Sequence, residues 1–284
     1  MTTKTRALLI GINDYSPVGN QGPDLKACIN DVEDMRKTLI ACGYQDSQIK
    51  TLTDKDATKN NILTALEQFI NMTQTGESIV FYFAGHGYFA TDFDGNEIDG
   101  RDEVICPHDW PNEMIIDDEI ANIFSNLVRG ATLEVIMDCC HAGTITTSAM
   151  FEIMANRTFF SKQKHQKLVN SVSQERGIGN TRTAPKMLRY NTNYSVTTDI
   201  SLVDNPNHIL WAACKDNQNA RQKEIDGAYR SVFTYYFCQA LKSCNGNIKR
   251  ATLFLEIVNK LNEQHYVPIP VLHLPIIYNQ IIFT

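Results

Sequence analysis

Two short apolar runs do most to limit what this chain can fold into. Ser78 to Ala84 (Ser-Ile-Val-Phe-Tyr-Phe-Ala) and Thr132 to Met137 (Thr-Leu-Glu-Val-Ile-Met) are rich in β-branched, aromatic and long apolar residues and, apart from Glu134, show no polar alternation. Such a run predicts a strand covered on both faces, as in parallel sheets flanked by helices. Each run stops abruptly at a polar cluster: Gly85-His86-Gly87 after the first, Asp138-Cys139-Cys140-His141 after the second. Open parallel sheets do their chemistry in the crevice at the carboxyl ends of their strands. His86 and Cys140 are therefore expected to share one crevice.

Apolar runs alternate with amphipathic stretches along the rest of the chain, which predicts βαβ units and a mainly parallel central sheet in an α/β fold. A first strand is expected over Arg6 to Asn13. Leu25, Ile29, Val32, Leu39 and Ile40 then fall on one helical face, with Gly43 as a C-terminal stop. A short strand over Gln48 to Leu52 leads into a helix over Lys59 to Met72, and Asp117 or Asp118 is expected to cap a helix running to about Leu127. After a long polar stretch, order resumes with a strand over His208 to Ala213, helices over Ser231 to Lys242 and Ile248 to Gln264, and a last strand near Val271 to Leu274. One domain over residues 1–284 is the expectation, with a large part (1–155), a flexible basic linker (156–207) and a small part (208–284). The linker carries eight Lys or Arg against three acids. It lacks the interleaved aromatics of a nucleic-acid platform.

With 284 residues, 43% of them hydrophobic, the chain can bury a real core. The apolar run Ala7 to Ile12 is too short for a membrane span or a secretory leader, so a cytoplasmic protein without membrane contact is expected. Eight cysteines are too dilute for a disulfide scaffold and lack the paired spacing of a zinc site, which predicts reduced thiols. A net charge of -6 argues against nucleic acid as the partner.

Cysteine hydrolysis needs a thiolate aimed at a carbonyl carbon, a group to protonate the leaving amine, and donors for the developing oxyanion. Cys140 supplies the first and His86 the second. The backbone N–H groups of Gly87 and Cys140 can face the oxyanion. No Asn or Asp third member is identified, and the chemistry needs no cofactor. Cys28, Cys42, Cys106, Cys214, Cys238 and Cys244 read as small hydrophobic residues. A zinc site from Cys139, Cys140 and His141 is disfavoured, because adjacent cysteines do not readily share one tetrahedral ion.

The segments Tyr82-Phe83-Ala84-Gly85-His86-Gly87 and Asp138-Cys139-Cys140-His141-Ala142-Gly143 resemble the His-Gly and D-x-C-H-S-G motifs of the caspase-like cysteine peptidases (clan CD, family C14), metacaspases and bacterial orthocaspases above all. The His precedes the Cys by about 50 residues, as it does in caspases. Ala142 stands where the family commonly has Ser. The resemblance implies a caspase-like α/β/α sandwich with p20-like and p10-like parts. It also implies an S1 pocket from Cys28, Asp31 and Asp138 that takes Arg or Lys at P1, and self-cleavage in the linker. If Asp31 only solvates its helix and Asp138 only caps a turn, the pocket reading fails.

Calcium at Asp102, Asp117 and Asp118 is a further implication, although Thr147 replaces a common Asp, and a solvated loop with helix-capping acids accounts for the same residues. The stretch Asp92 to Glu103 nearly spells an EF-hand, but Glu97 replaces its required glycine. The expected partners are protein or peptide substrates, with a separate activator protein as an open option. The rival readings are a catalytically silent binding module and a clan relative with another P1 preference.

Overall fold

The computed structural model describes residues 5–15, 24–91, 101–110, 112–139, 199–203, 208–215, 219–266 and 268–275. Its strands are β1 (Thr5–Gly11), β2 (Ile49–Thr53), β3 (Ser78–Ala84), β4 (Gly87–Thr91), β5 (Arg101–Ile105), β6 (Ile115–Ile116), β7 (Thr132–Asp138), β8 (Asp199–Val203), β9 (Ile209–Ala212), β10 (Gln222–Ile225), β11 (Ala228–Ser231) and β12 (Val271–Pro275). Its helices are α1 (Cys28–Ala41), α2 (Lys59–Asn71), α3 (Asp117–Phe124), α4 (Val232–Ser243) and α5 (Arg250–Glu263). Seven strands form one sheet in the order β2-β1-β3-β7-β9-β12-β8. The first five are parallel; β12 runs antiparallel to β9 and carries β8 parallel to itself on the outer edge.

Both apolar runs are central strands, and alternation splits their side chains between two cores. Val80, Tyr82 and Ala84 of β3 join Val32, Met35 and Leu39 of α1, Phe233 and Phe237 of α4, and Leu253 and Phe254 of α5. Ile79, Phe81 and Phe83 face the other way, onto Ile62, Leu66 and Ile70 of α2 and Ile120 and Phe124 of α3. The result is an α/β/α sandwich whose sheet is apolar on both faces. Glu134, the polar exception within β7, is fully buried. It accepts from Trp211 Nε1 at 2.7 Å and from Arg250 Nε at 2.7 Å, so its charge is compensated where β7, β9 and α5 meet. Among the described residues no helix is long and apolar enough to cross a membrane.

Three departures from the sequence expectations bear on the site. Neither Asp117 nor Asp118 caps α3: the cap position is Ile116, whose N–H donates to Glu119 Oε2 at 3.1 Å, and both aspartates lie in the first turn. The acidic stretch after Gly87 is flanked by strands rather than EF-hand helices, since β4 and β5 pair antiparallel from Gly87–Ile105 to Thr91–Arg101. The stretch expected as linker ends in a strand, because β8 pairs in parallel with β12 and completes the sheet edge. Its ordering comes from tertiary pairing, which an Asn- and Thr-rich window does not signal. Residues 156–198 and 204–207 lie outside the described residues.

Candidate active site

The carboxyl ends of β3 and β7 meet side by side. Ala84 is paired with Asp138, and Gly85 N–H donates to Asp138 O at 3.4 Å just beyond the ladder. His86 follows and is half-buried. Cys140, His141 and Thr147 lie outside the described residues; β7 and its continuation are described as far as Cys139.

Cys139 is 1% exposed, packs with Met137 and Cys106 in the α2/α3-side core, and its carbonyl accepts from Cys214 Sγ at 3.3 Å. That position suits a small apolar side chain and not a nucleophile.

One pocket gathers Cys28, Asp31, His86, Asp138, Arg221 and Ser231 in its lining. The three S1 residues expected from the sequence are thus brought together with His86. Asp31 is 1% exposed and Asp138 5%. Asp31 does not solvate its helix: Oδ1 and Oδ2 accept from Ser231 N–H at 3.0 and 3.1 Å, across α1 to the end of β11. Asp138 accepts from Thr234 Oγ1, so the single Thr234 proton is committed and Tyr82 Oη, 2.9 Å from Thr234 Oγ1, is the donor to it. Burial pushes the Asp31 carboxyl up, and the charge of Asp138 adds to it; burial likewise raises Asp138. The Cys28 thiol is raised by burial and then by both carboxylates, which leaves it a protonated wall residue. Among the described lining residues, Arg221 supplies the one guanidinium, on an exposed side chain.

The second wall comes from a hairpin that the sequence expectations omitted. β10 and β11 pair antiparallel around Asp226 and Gly227, with φ of 51° and 76°. That is the Asp-Gly turn of a tight hairpin, and this dipeptide was the signal available to find it. Beyond Ser231, the hairpin is docked on α1 by Arg230 Nε donating to Asp34 Oδ2 at 2.6 Å and by Asn30 Nδ2 donating to Tyr229 O at 2.9 Å.

Tyr15 is the other residue that sequence reasoning missed. It is 1% exposed in the loop after β1, and its hydroxyl accepts from His86 N–H at 2.9 Å while donating to Cys106 O at 3.1 Å. Its ring lies 4.7 Å from the imidazole, centroid to centroid, tilted by 50°. Gly85 makes room for this contact: a Cβ there would stand 2.7 Å from Tyr15 Oη and 2.8 Å from Phe83 Cζ. A loop tyrosine at the carboxyl end of a neighbouring strand was the only available hint.

Cys106 N–H donates to His86 O at 3.0 Å, which makes Gly87–Ile105 a non-hydrogen-bonded pair of the β4–β5 ladder. The Gly87 N–H therefore points away from β5, towards neither of its carbonyls. Asp117 is 1% exposed and Asp118 half-buried at the start of α3, while Asp102 lies in β5 with its side chain outside the described residues. Among the described residues, no three His, Cys, Asp or Glu side chains gather as a metal site.

Residues 5–148 match the family model described as "Metacaspase, peptidase C14 domain". Metacaspase-3 of Arabidopsis thaliana is 40% identical over 151 residues, covering 50% of this chain and 41% of that protein. Metacaspase-1 of Ajellomyces capsulatus is 32% identical over 262 residues, covering 85% of this chain and 72% of that protein. The crystal structure of a Geobacter sulfurreducens protein superposes with a TM-score of 0.62 at 22% identity, covering 98% of this chain and 97% of that one, which speaks for the fold. The chain thus spans less than half of the plant relative and about three quarters of the fungal one. By this match the chain belongs to the metacaspases, cysteine-type peptidases of family C14.

Proposed function

We propose that the chain is a cysteine endopeptidase that cuts after Arg or Lys, with Cys140 as nucleophile and His86 as its proton-transfer partner. The observation that supports the basic preference is the burial of two carboxylates, Asp31 and Asp138, in the pocket that His86 also lines. A guanidinium or ammonium at P1 would enter beside them and form charge-assisted hydrogen bonds away from water. An acidic P1 side chain would be repelled.

In this reading, Cys140 Sγ attacks the scissile carbonyl carbon, and the oxyanion that forms is met by the backbone N–H groups of Gly87 and Cys140. His86 gives its proton to the leaving amine as the C–N bond breaks, which leaves a thioester on Cys140. His86 then takes a proton from water, whose oxygen attacks the thioester carbonyl and releases the acid and the thiol. Ala84 pairs with Asp138 in the sheet, and His86 and Cys140 each follow their paired residue by two positions, which favours their working together. Tyr15 positions His86 through its backbone N–H and its ring.

Calcium at Asp102, Asp117 and Asp118 is part of the same proposal. The donor set is oxygen only, as calcium prefers. The pairing of Val104 with Ile116 sets Asp102 and the Asp117-Asp118 pair at the same end of the β5–β6 ladder. Calcium there would tie β5 to the start of α3. Self-cleavage is proposed after Arg or Lys within the stretch 156–207, around Arg176 to Arg189. The large and small parts would stay joined afterwards, since strands from both belong to one sheet.

A panel of fluorogenic Arg, Lys, Asp and Asn peptides tests the preference, with an Arg-chloromethylketone to label Cys140. Arg and Lys turnover with labelling of Cys140 is expected, and turnover of the Asp peptide alone would overturn it. Arg221 is the observation that favours the rival, because it sets a guanidinium in the lining where an acidic P1 could pair with it. Mass spectrometry with and without calcium reports the cut: wild type should divide and Cys140→Ala remain whole.

A further inference from the structure

The described cysteines divide by exposure. Cys28, Cys106, Cys139, Cys214 and Cys238 are buried, whereas Cys42 and Cys244 are half-buried and reachable from solvent. These two are also neighbours. Cys42 Sγ lies 4.0 Å from Leu241 O, and Cys244 Sγ lies 3.3 Å from the same oxygen and 3.5 Å from Ala240 O. Both sulfurs thus stand within 4.0 Å of one carbonyl oxygen although 202 positions apart in the chain numbering, Cys42 in the large part and Cys244 in the small part.

Their placement follows from how α1 and α4 pack. The two helices lie side by side and in parallel, in contact at three successive levels. At the pocket end Ser231 N–H donates to Asp31. In the middle Val32, Met35 and Leu39 of α1 share one core with Phe233, Phe237 and Cys238 of α4. At the far end stand Cys42 and Cys244, each the C-terminal cap residue of its helix. A cap residue closes the last turn, as Cys42 N–H does on Thr38 O at 3.0 Å, and no helical bond depends on the backbone beyond it, so a small shift of its Cα leaves the preceding turns in place. Disulfide formation asks for such an adjustment and tolerates little misalignment.

We propose that Cys42 and Cys244 form a reversible disulfide under peroxide, stapling α1 to α4 at the end away from the pocket. One thiol reduces hydrogen peroxide, becoming a sulfenic acid and releasing water. The second thiol attacks that sulfur, the S–S bond forms, and the sulfenic oxygen leaves as a second water. Two electrons pass from the pair of sulfurs to one peroxide, and a dithiol reductant reverses the step. Burial, then the neighbouring Cys244, push the Cys42 thiol up to about 11, which makes the Cys42 thiolate scarce unless the pH is raised.

The staple would not touch the pocket but would fix its two helical supports. α1 carries Cys28 and Asp31 in its first turn, and α4 carries Thr234, which holds Asp138. Cross-linking their distant ends would lock the relative alignment of the large and small parts and stabilise the fold by restricting the unfolded chain.

The test uses the full chain with Cys140→Ala, which removes a third candidate thiol. After treatment with hydrogen peroxide and alkylation, unreduced digests should yield one linked pair of peptides containing Cys42 and Cys244. The melting temperature should rise by about 4 °C or more and return on reduction. Cys42→Ser and Cys244→Ser in the same background should each remove both the linked peptide and the rise. The proposal is overturned if both thiols remain free to alkylate, if they oxidise separately to sulfinic acids, or if either pairs with another cysteine. Should a serine variant fail to fold, the peptide map of the parent chain decides alone.

Discussion

The candidate pocket has two walls of different origin. One is made by the ends of α1, β3 and β7 and carries the two buried carboxylates and His86; the other is made by the β10–β11 hairpin and contributes Ser231, Gln222 and Arg221. The acids sit on the first wall, while the second closes the space, adds the exposed Arg221 guanidinium and supplies the backbone N–H that Asp31 accepts. Recognition and chemistry are thus expected to depend steeply on the first wall and weakly on the second.

The steepest effect is expected at the proposed dyad, of which His86 lines the first wall. Cys140→Ala or His86→Ala should each remove hydrolysis to below about 1 part in 10,000, because nucleophile and proton partner act as a unit. Cys139→Ala should leave most activity and cost stability instead, since Cys139 fills the core. Activity in Cys140→Ala together with none in Cys139→Ala would reverse the assignment. Active-site titration of folded variants separates these outcomes.

Next come the carboxylates. Asp31→Asn or Asp138→Asn should lower kcat/KM for Arg and Lys peptides by at least about 100-fold. Stability should move the other way. Both carboxyls are held above their ordinary value in the folded chain, by burial first and, for Asp31, by Asp138 next. The unfolded chain releases these protons near pH 4, so each carboxylate weakens folding progressively as pH rises above that value. Asn removes the penalty, and its oxygen can still accept from Ser231 or Thr234. Both variants should therefore melt higher than wild type at pH 8, with the gap shrinking towards pH 4. Melting below wild type at pH 8 would contradict the shared burial of the two charges.

The contrast between the walls also explains what could be read from the sequence. The apolar strands β3 and β7, their polar ends and the acids of α1 are dense local signals, because a doubly covered strand and a catalytic strand end each need particular residues in sequence order. Tyr15, the hairpin and β8 were not read. Tyr15 acts through one hydroxyl bonded to residues 71 and 91 positions away, and no local pattern encodes such a contact. The β10–β11 strands are short and half exposed, so their alternation is faint beside the Asp226-Gly227 turn. The aspartates of α3 looked like caps because acids favour helix starts, yet Glu119 fills that role.

A smaller effect is expected at Tyr15. Tyr15→Phe keeps the ring against His86 and deletes the hydroxyl that joins His86 N–H to Cys106 O. His86 N–H then loses its acceptor, and the imidazole is held less well. kcat should fall about 10-fold with KM nearly unchanged, because the pocket carboxylates are untouched. An equal rise in KM would mean that Tyr15 shapes the pocket rather than the imidazole. Steady-state kinetics on the Arg peptide distinguishes the two.

The smallest effect is reserved for the second wall. Arg230→Ala deletes the pair with Asp34 and the bond to Ile225 O, both on side chains still about one-fifth exposed to water. Partly solvated pairs of this kind contribute little. The Ser231 N–H bonds to Asp31 and the Asn30 bond to Tyr229 O remain to hold the hairpin on α1. KM for the Arg peptide should rise about 2- to 5-fold through looser closure of the pocket, with kcat retained, since the hairpin holds none of the proposed catalytic groups. A loss as large as that of Asp31→Asn would break the comparison. It would mean that the hairpin presents Asp31 to the substrate, and that the charge of the first wall is usable only when the second is closed against it.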